Sequence, residues 1–162
     1  MTRKLVSWLR SPGRRHAAQA TRPAHLAASD FPAPGPAGPP LPGLAGWSQR
    51  TGITIETWAL PAEGLPQRVA DAVLGCFAEA LSNVERHSGA RVVSIAVTRG
   101  AKGLRVTISD DGRGFMGEAK GRGIVRMGAH LAAVGGRCTV KGTPGGGTTV
   151  GAVVPLPVLD GA

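Results

Sequence analysis

Residues 66 to 87 place the tightest constraint on how this chain can fold. Val69, Val73, Phe77, Leu81 and Val84 recur at spacings of three and four. That period predicts an amphipathic helix of about 22 residues, roughly 33 Å long, with one face that must be buried. Pro66 suits its first turn, where a missing N–H is no loss, and Ser88-Gly89 stops it. The covering surface is encoded on both sides. Ile53, Ile55 and Thr57 alternate with Thr54, Glu56 and Trp58, as in a half-buried strand. Val93, Ile95 and Val97 predict a second strand, and Leu104 to Ser109 a third, joined as a hairpin through GAKG. A glycine-rich loop over 112–123 leads into a helix from Ile124 to Val134, capped by Gly135-Gly136. Strands at Cys138–Lys141 and Thr148–Pro155, linked by TPGGG, complete the set. The fold class is α+β: a two-layer α/β sandwich with helices on one face of an antiparallel or mixed sheet.

The chain of 162 residues can hold one domain with a real core. Residues 1–46 read as a disordered tail, 47–158 as the domain and 159–162 as a short C-terminal tail. Eight prolines precede residue 43, and seven Lys/Arg against Asp30 give the first 50 residues +6 of the total +9. Such a segment has little apolar surface to offset the entropy of ordering. Arg14-Arg15 lacks the apolar stretch an export signal needs, since HAAQATRP follows. No run approaches the ~20 apolar residues of a membrane span, so no transmembrane segment is expected. KLVSWLR is a basic tail barely two turns long, and specific nucleic-acid binding is not expected. Cys76 and Cys138 have neither metal-ligand spacing nor a disulfide framework, so both read as buried, reduced thiols of a cytoplasmic protein.

The chemistry concentrates between the long helix and the glycine loops. Glu79 and Asn83, four apart, share one helical face. The Asn83 amide oxygen is a neutral hard ligand suited to Mg²⁺, which in nucleotide sites takes most of its ligands from phosphate and water. Glu79, one turn earlier, can accept a proton near a γ-phosphate. Arg86 and His87 at the helix end can approach phosphates. Asp110, delivered by the third strand into DDGRGF, can only accept hydrogen bonds when ionised, and the exocyclic amine of adenine is a donor. Gly112, Gly114, Gly121 and Gly123 permit close approach of backbone to a ligand. The helix N-terminus at Ile124 offers N–H groups to phosphate. Each piece alone has a plainer explanation: a solvated helix face, a hairpin turn, surface charges at Arg122 and Arg126. Four pieces in one order, each on the element type its role demands, argue for an ATP site.

FAEALSNVERHSGARVVSIAV, DDGRGF, GRGIVRMGAHLAAVGG and TPGGGTTV resemble the ATP-binding domain of bacterial sensor histidine kinases, in the subfamily that signals to helix-turn-helix response regulators. This is the Bergerat fold shared with gyrase and MutL, and the resemblance covers residues 48–157. It implies that Glu79, Asn83 and His87 form the helix box, with Asn83 on Mg²⁺ and Glu79 catalytic. It also implies that Asp110 binds the adenine amine above a floor shaped by Gly112 and Gly114. Gly121, Gly123 and Ile124 then line the ATP lid, and Gly147 and Thr148 the last box beside adenine.

Two departures stand out. Such kinases carry an acceptor histidine in an acidic-flanked run like E-L-H-D, whereas His16 lies in RRHAAQ and His25 in PAHLAA, so no phosphoacceptor or dimerisation module is expected. The helix after the lid, which in the family reads like GLxGMRERAxxLGG, here has Gly128, Ala129 and His130 in place of Arg-Glu-Arg. The expected function is thus a histidine-kinase-type phosphotransferase using ATP and Mg²⁺ in trans, with a response regulator or a histidine-phosphoacceptor protein as partner. The alternatives are an anti-sigma-factor-like serine kinase bound to a sigma factor, or a non-catalytic nucleotide sensor. GIVRMGAHLAAVGG fits the sensor-kinase pattern better than the serine-kinase one.

Overall fold

The computed structural model describes residues 42–59, 65–100 and 103–156. The segments 1–41, 60–64, 101–102 and 157–162 lie outside it, and with them His16, His25, Pro61 and Gly64 of the turn after the first strand, the middle of GAKG and the C-terminal tail. The described elements are α1 (Pro42–Thr51), β1 (Thr54–Ala59), α2 (Gln67–Asn83) and a π-helical turn (Val84–Ser88). Then come β2 (Val92–Gly100), β3 (Gly103–Asp110), α3 (Arg122–Ala132), β4 (Arg137–Thr143) and β5 (Gly147–Val154).

The five strands form one mixed sheet in the order β1-β2-β3-β5-β4. β1 runs parallel to β2, as it must when a helix carries the chain between them, and every other neighbouring pair is antiparallel. Register explains the burial pattern. Ile95 pairs with Ile108, and Ile108 with Val150, so β2, β3 and β5 turn a continuous aliphatic face to one side. Val93, Ile95, Val97, Leu104, Val106 and Ile108 on that face are each at most 2% exposed. The stripe expected on α2 covers it: Val69, Val73, Phe77, Leu81 and Val84 are all buried. At about 1.5–3 kcal/mol for each large aliphatic chain taken from water, this contact dominates the stability of the domain.

Three boundaries differ from the sequence reading. Residues 42–46, read as part of the tail, belong instead to α1, which begins at Pro42. Proline density hides it, yet Leu44 and Trp47, three apart, are 2% and 3% exposed within the core. Pro42 sits at the first helical position, and Gly52, at φ 72°, ends the helix by donating its N–H to the Ser48 carbonyl at 2.8 Å. α1 is also tied to the end of the long helix through Arg50, whose guanidinium makes a two-pronged ion pair with Glu85 at 2.6 and 3.1 Å. That hydrogen bond holds the Glu85 carboxyl below its ordinary value.

The second difference is the last turn of the long helix, which widens into π geometry from Val84 to Ser88. A period of 3.6 does not signal the extra residue per turn, and such turns concentrate at functional sites. The third is the start of α3, two residues before Ile124, on Gly121. Its C-terminus is a Schellman motif: Gly136 donates to the Leu131 carbonyl and Gly135 to that of Ala132, at 2.8 and 3.0 Å.

Of the two thiols expected to be buried, only Cys76 is; Cys138, on the edge strand β4, is half-buried, and both are free. Burial pushes the Cys76 thiol up to about 12. No helix among the described residues is long and apolar enough to cross a membrane.

If α1 belongs to the core, Leu44→Ala should cost about 2–5 kcal/mol in urea unfolding. A chain beginning at Trp47 should also melt below one beginning at Pro42. Equal melting of the two truncations would show that α1 contributes nothing.

Candidate functional site

α2 and its π turn present Glu79, Asn83, Arg86 and His87 along one wall of a cavity of about 720 Å³. The α-helical part places Glu79 and Asn83 on one face, and the wider turn keeps Arg86 and His87 on the same wall. The opposite wall is the end of β3 and the start of β5. Asp110 and Thr148 are direct cross-strand partners, so their side chains stand together on the helix-facing side of the sheet. Asp110 is 4% exposed, and its Oδ1 accepts the Gly112 N–H at 2.9 Å. Between the walls, Ile108, Val140 and Val150 make an apolar floor.

Backbone contacts on both sides hold the DDGRGF loop in place. The Arg113 N–H donates to the Ser88 carbonyl at 2.9 Å, tying the loop to the π turn. A methyl group at Gly112 would strike that same carbonyl and lie 2.7 Å from Asp110 Oδ1. On the other side, Gly145 donates to the Arg113 carbonyl at 2.8 Å, joining the loop to the β4–β5 turn. Gly147, at φ +81°, packs its backbone directly against the Asp110 carbonyl, where no side chain fits. Asp111 also anchors the loop: its Oδ1 accepts the Arg91 and Val92 N–H groups at 2.8 and 2.9 Å.

The loop after Phe115 returns over the cavity and enters α3. α3 starts on Gly121 with no side-chain cap and no acidic residue in its first turn, leaving its positive end toward the cavity. It approaches α2 so closely that a methyl at Gly123 would lie 3.0 Å from Asn83 Oδ1 and 3.3 Å from Glu79 Oε2. Arg126, one turn on, pairs its Nη1 with Glu79 Oε1 at 3.4 Å. The buried Met127 and Leu131 lock the other side of α3 into the core. Farther along, the His130 ring fills the notch at Gly75 of α2.

Of the twelve positions read from the sequence, ten line the cavity: Glu79, Asn83, Arg86, His87, Asp110, Gly114, Gly121, Gly123, Ile124 and Thr148. Gly112 and Gly147 lie behind its wall, both buried, and act through the backbone contacts just described. Ser88, Arg113, Phe115 and Lys120 also line it, as do Arg122 and Arg126, for which surface charge was the plainer alternative. For Ser88 no signal exists in sequence, because its part is played by a carbonyl. Five Lys/Arg stand against three carboxylates, Glu79, Asp110 and Glu118, so the lining carries a net positive charge that attracts anions.

Solved structures share this architecture. A histidine kinase domain from the Erythrobacter litoralis EL346 blue-light activated histidine kinase superposes with a TM-score of 0.60. It covers 69% of this chain and 57% of that one, at 22% identity. Acinetobacter baumannii histidine kinase AdeS gives 0.55 over 71% and 60%, at 13% identity. The fold is that of a histidine kinase ATP-binding domain. Sequence relatives agree: Bacillus subtilis sensor histidine kinase LiaS is 32% identical over 107 residues, and sensor histidine kinase YxjM 27% over 104. Each match takes in 64% of this chain but only 29% and 26% of the relative, so the chain spans less than a third of their length. No protein-family profile matches the chain.

Gly147→Ala tests the buried backbone contact behind Asp110. The forced φ and the clash with the Asp110 carbonyl should cost about 1–3 kcal/mol in urea unfolding. A neutral substitution would mean that the β4–β5 turn is not held against β3.

Proposed function

We propose that the domain binds ATP with Mg²⁺ and acts as a histidine-kinase-type phosphotransferase on an acceptor histidine supplied by another chain. The supporting observation is the convergence of three groups on one cavity: a buried carboxylate at the end of β3, the Glu79–Asn83 pair, and the uncapped start of α3.

In this reading the Asp110 carboxylate accepts the hydrogen bond of the adenine amine, and Thr148 stands beside it. Guanine, with an acceptor at that position, sets one acceptor against another at the Asp110 carboxylate and is disfavoured. Ile108, Val140 and Val150 exclude water from the base. Arg86, His87, Arg122 and the N–H groups of α3 hold the phosphates. Among the described residues there is no cluster of three His, Cys, Asp or Glu side chains. The single amide oxygen of Asn83 suits a cation that draws its other ligands from phosphate and water, and that cation would neutralise charge on the phosphates. Glu79 accepts the proton of one ring nitrogen of the imidazole while the other attacks the γ-phosphorus, whose bond to the bridging oxygen breaks so that this oxygen leaves with ADP. The partner that receives the phosphoryl group next would be a response regulator. The relatives and solved structures named above are histidine kinases, and none of their names points to a sigma-factor partner.

His130 is packed against Gly75, and His87 sits on the wall that holds phosphate, so neither is placed for in-line attack. Incubating the protein alone with radiolabelled ATP should therefore give no acid-labile phosphoprotein, and an acceptor domain added in trans should restore it. Label on the protein alone would overturn the in-trans reading.

Nucleotide titrations test the site itself. ATP should bind more tightly than GTP, and Asp110→Asn should weaken ATP about 10- to 100-fold, the loss of one charge-assisted hydrogen bond. Asn83→Ala should remove the Mg²⁺ dependence of binding. Glu79→Gln should keep binding and lose phosphoryl transfer. Equal affinity for ATP and GTP in the parent protein would sink the adenine assignment.

A further inference from the structure

Arg126 stands where the family pattern GLxGM has its second glycine: here the run is Gly123-Ile124-Val125-Arg126-Met127. Its position within the site is unlike that of an ordinary surface arginine. Nη1 lies 3.4 Å from Oε1 of Glu79, the residue read above as the proton acceptor. The Arg126 side chain is 63% exposed and the Glu79 side chain 21%, so the guanidinium reaches inward from solvent onto a carboxylate that the helix holds in place. The contact is single and long, and it uses one of the five N–H donors of the group. Both residues line the same cavity, beside Asn83 and the first turn of α3.

We propose that Arg126 is a positioning residue that exchanges partners: it pairs with Glu79 until a terminal phosphate enters, then transfers its guanidinium to the phosphate oxygens and leaves Glu79 free to accept a proton. The inference rests on the ATP reading of the cavity. The exchange follows from charge and geometry. A terminal phosphate carries more charge than a carboxylate and accepts two parallel N–H bonds, which the present contact with Glu79 does not. A weak, exposed ion pair is easily surrendered. The base is thereby coupled to the third phosphate, so ATP and ADP are told apart before any chemistry.

A double-mutant cycle read by calorimetric titration tests this, with ATP and ADP as ligands at one fixed salt concentration. Arg126→Ala should weaken ATP about tenfold, the worth of a charge-assisted phosphate contact, and change ADP by less than about twofold. Glu79→Gln should tighten ATP, since no ion pair then has to be broken. Part of that gain is relief of direct repulsion between Glu79 and phosphate, and it persists whatever stands at 126. The part owed to partner exchange, about two- to fivefold for an exposed pair, should vanish in the Arg126→Ala background. Arg126→Lys, which keeps the charge without the fork, should retain only part of the preference for ATP. The proposal fails if Glu79→Gln has the same effect in both backgrounds, or if Arg126→Ala weakens ATP and ADP equally. If the parent protein binds neither nucleotide, the ATP reading falls and takes this proposal with it. If it binds both and the cycle shows no coupling, only the role of Arg126 falls.

Discussion

The apolar contact between α2 and the sheet sets the distance between the two walls of the cavity. Val69, Val73, Phe77 and Leu81 are spaced for a helix, and Val93, Ile95, Val106 and Ile108 alternate for strands, so the two layers can meet in one way only. That packing puts Glu79 and Asn83, one turn from the end of the stripe, opposite the end of β3, where Asp110 emerges. A methylene lost from this core would be felt at the site, because this packing spaces the carboxylate on the strand from the amide on the helix.

The polar loops then depend on that frame through backbone groups more than through side chains. Ser88 offers its carbonyl to Arg113, Asp110 offers its carbonyl to the close approach of Gly147, and Asp111 gathers two N–H groups at the start of β2. Each contact joins an element ending at the cavity to a neighbour that also ends there. The site is therefore built at the ends of strands and helices, where backbone groups lack regular partners and find them across loops.

α3 behaves differently from the rest. One side is fixed by Met127 and Leu131, both fully buried, while the other leaves Val125 72% exposed. Its first turn lies so close to Asn83 and Glu79 that a methyl at Gly123 would press on both. An element anchored at one side and in contact with the reacting residues at its tip is well placed to pass a change in ligand charge to Glu79 through Arg126.

Local sequence determined the elements and the chemical inventory. Apolar spacing marks the five strands and the long helix, and the order of Glu79, Asn83, DDGRGF and TPGGGT carries the resemblance that names the fold. Boundaries were less legible. Proline density obscured α1, whose apolar pair gains meaning only from the core it enters, and no periodic signal announces a π turn. Tertiary structure alone decided which glycines face the cavity and which sit behind it, since Gly112 and Gly114 are alike in sequence but meet different neighbours. It alone brought Arg126 to Glu79, 47 positions apart along the chain. Side-chain periodicity is a local property that a sequence displays directly. Contacts between distant residues arise only when packed layers bring them together.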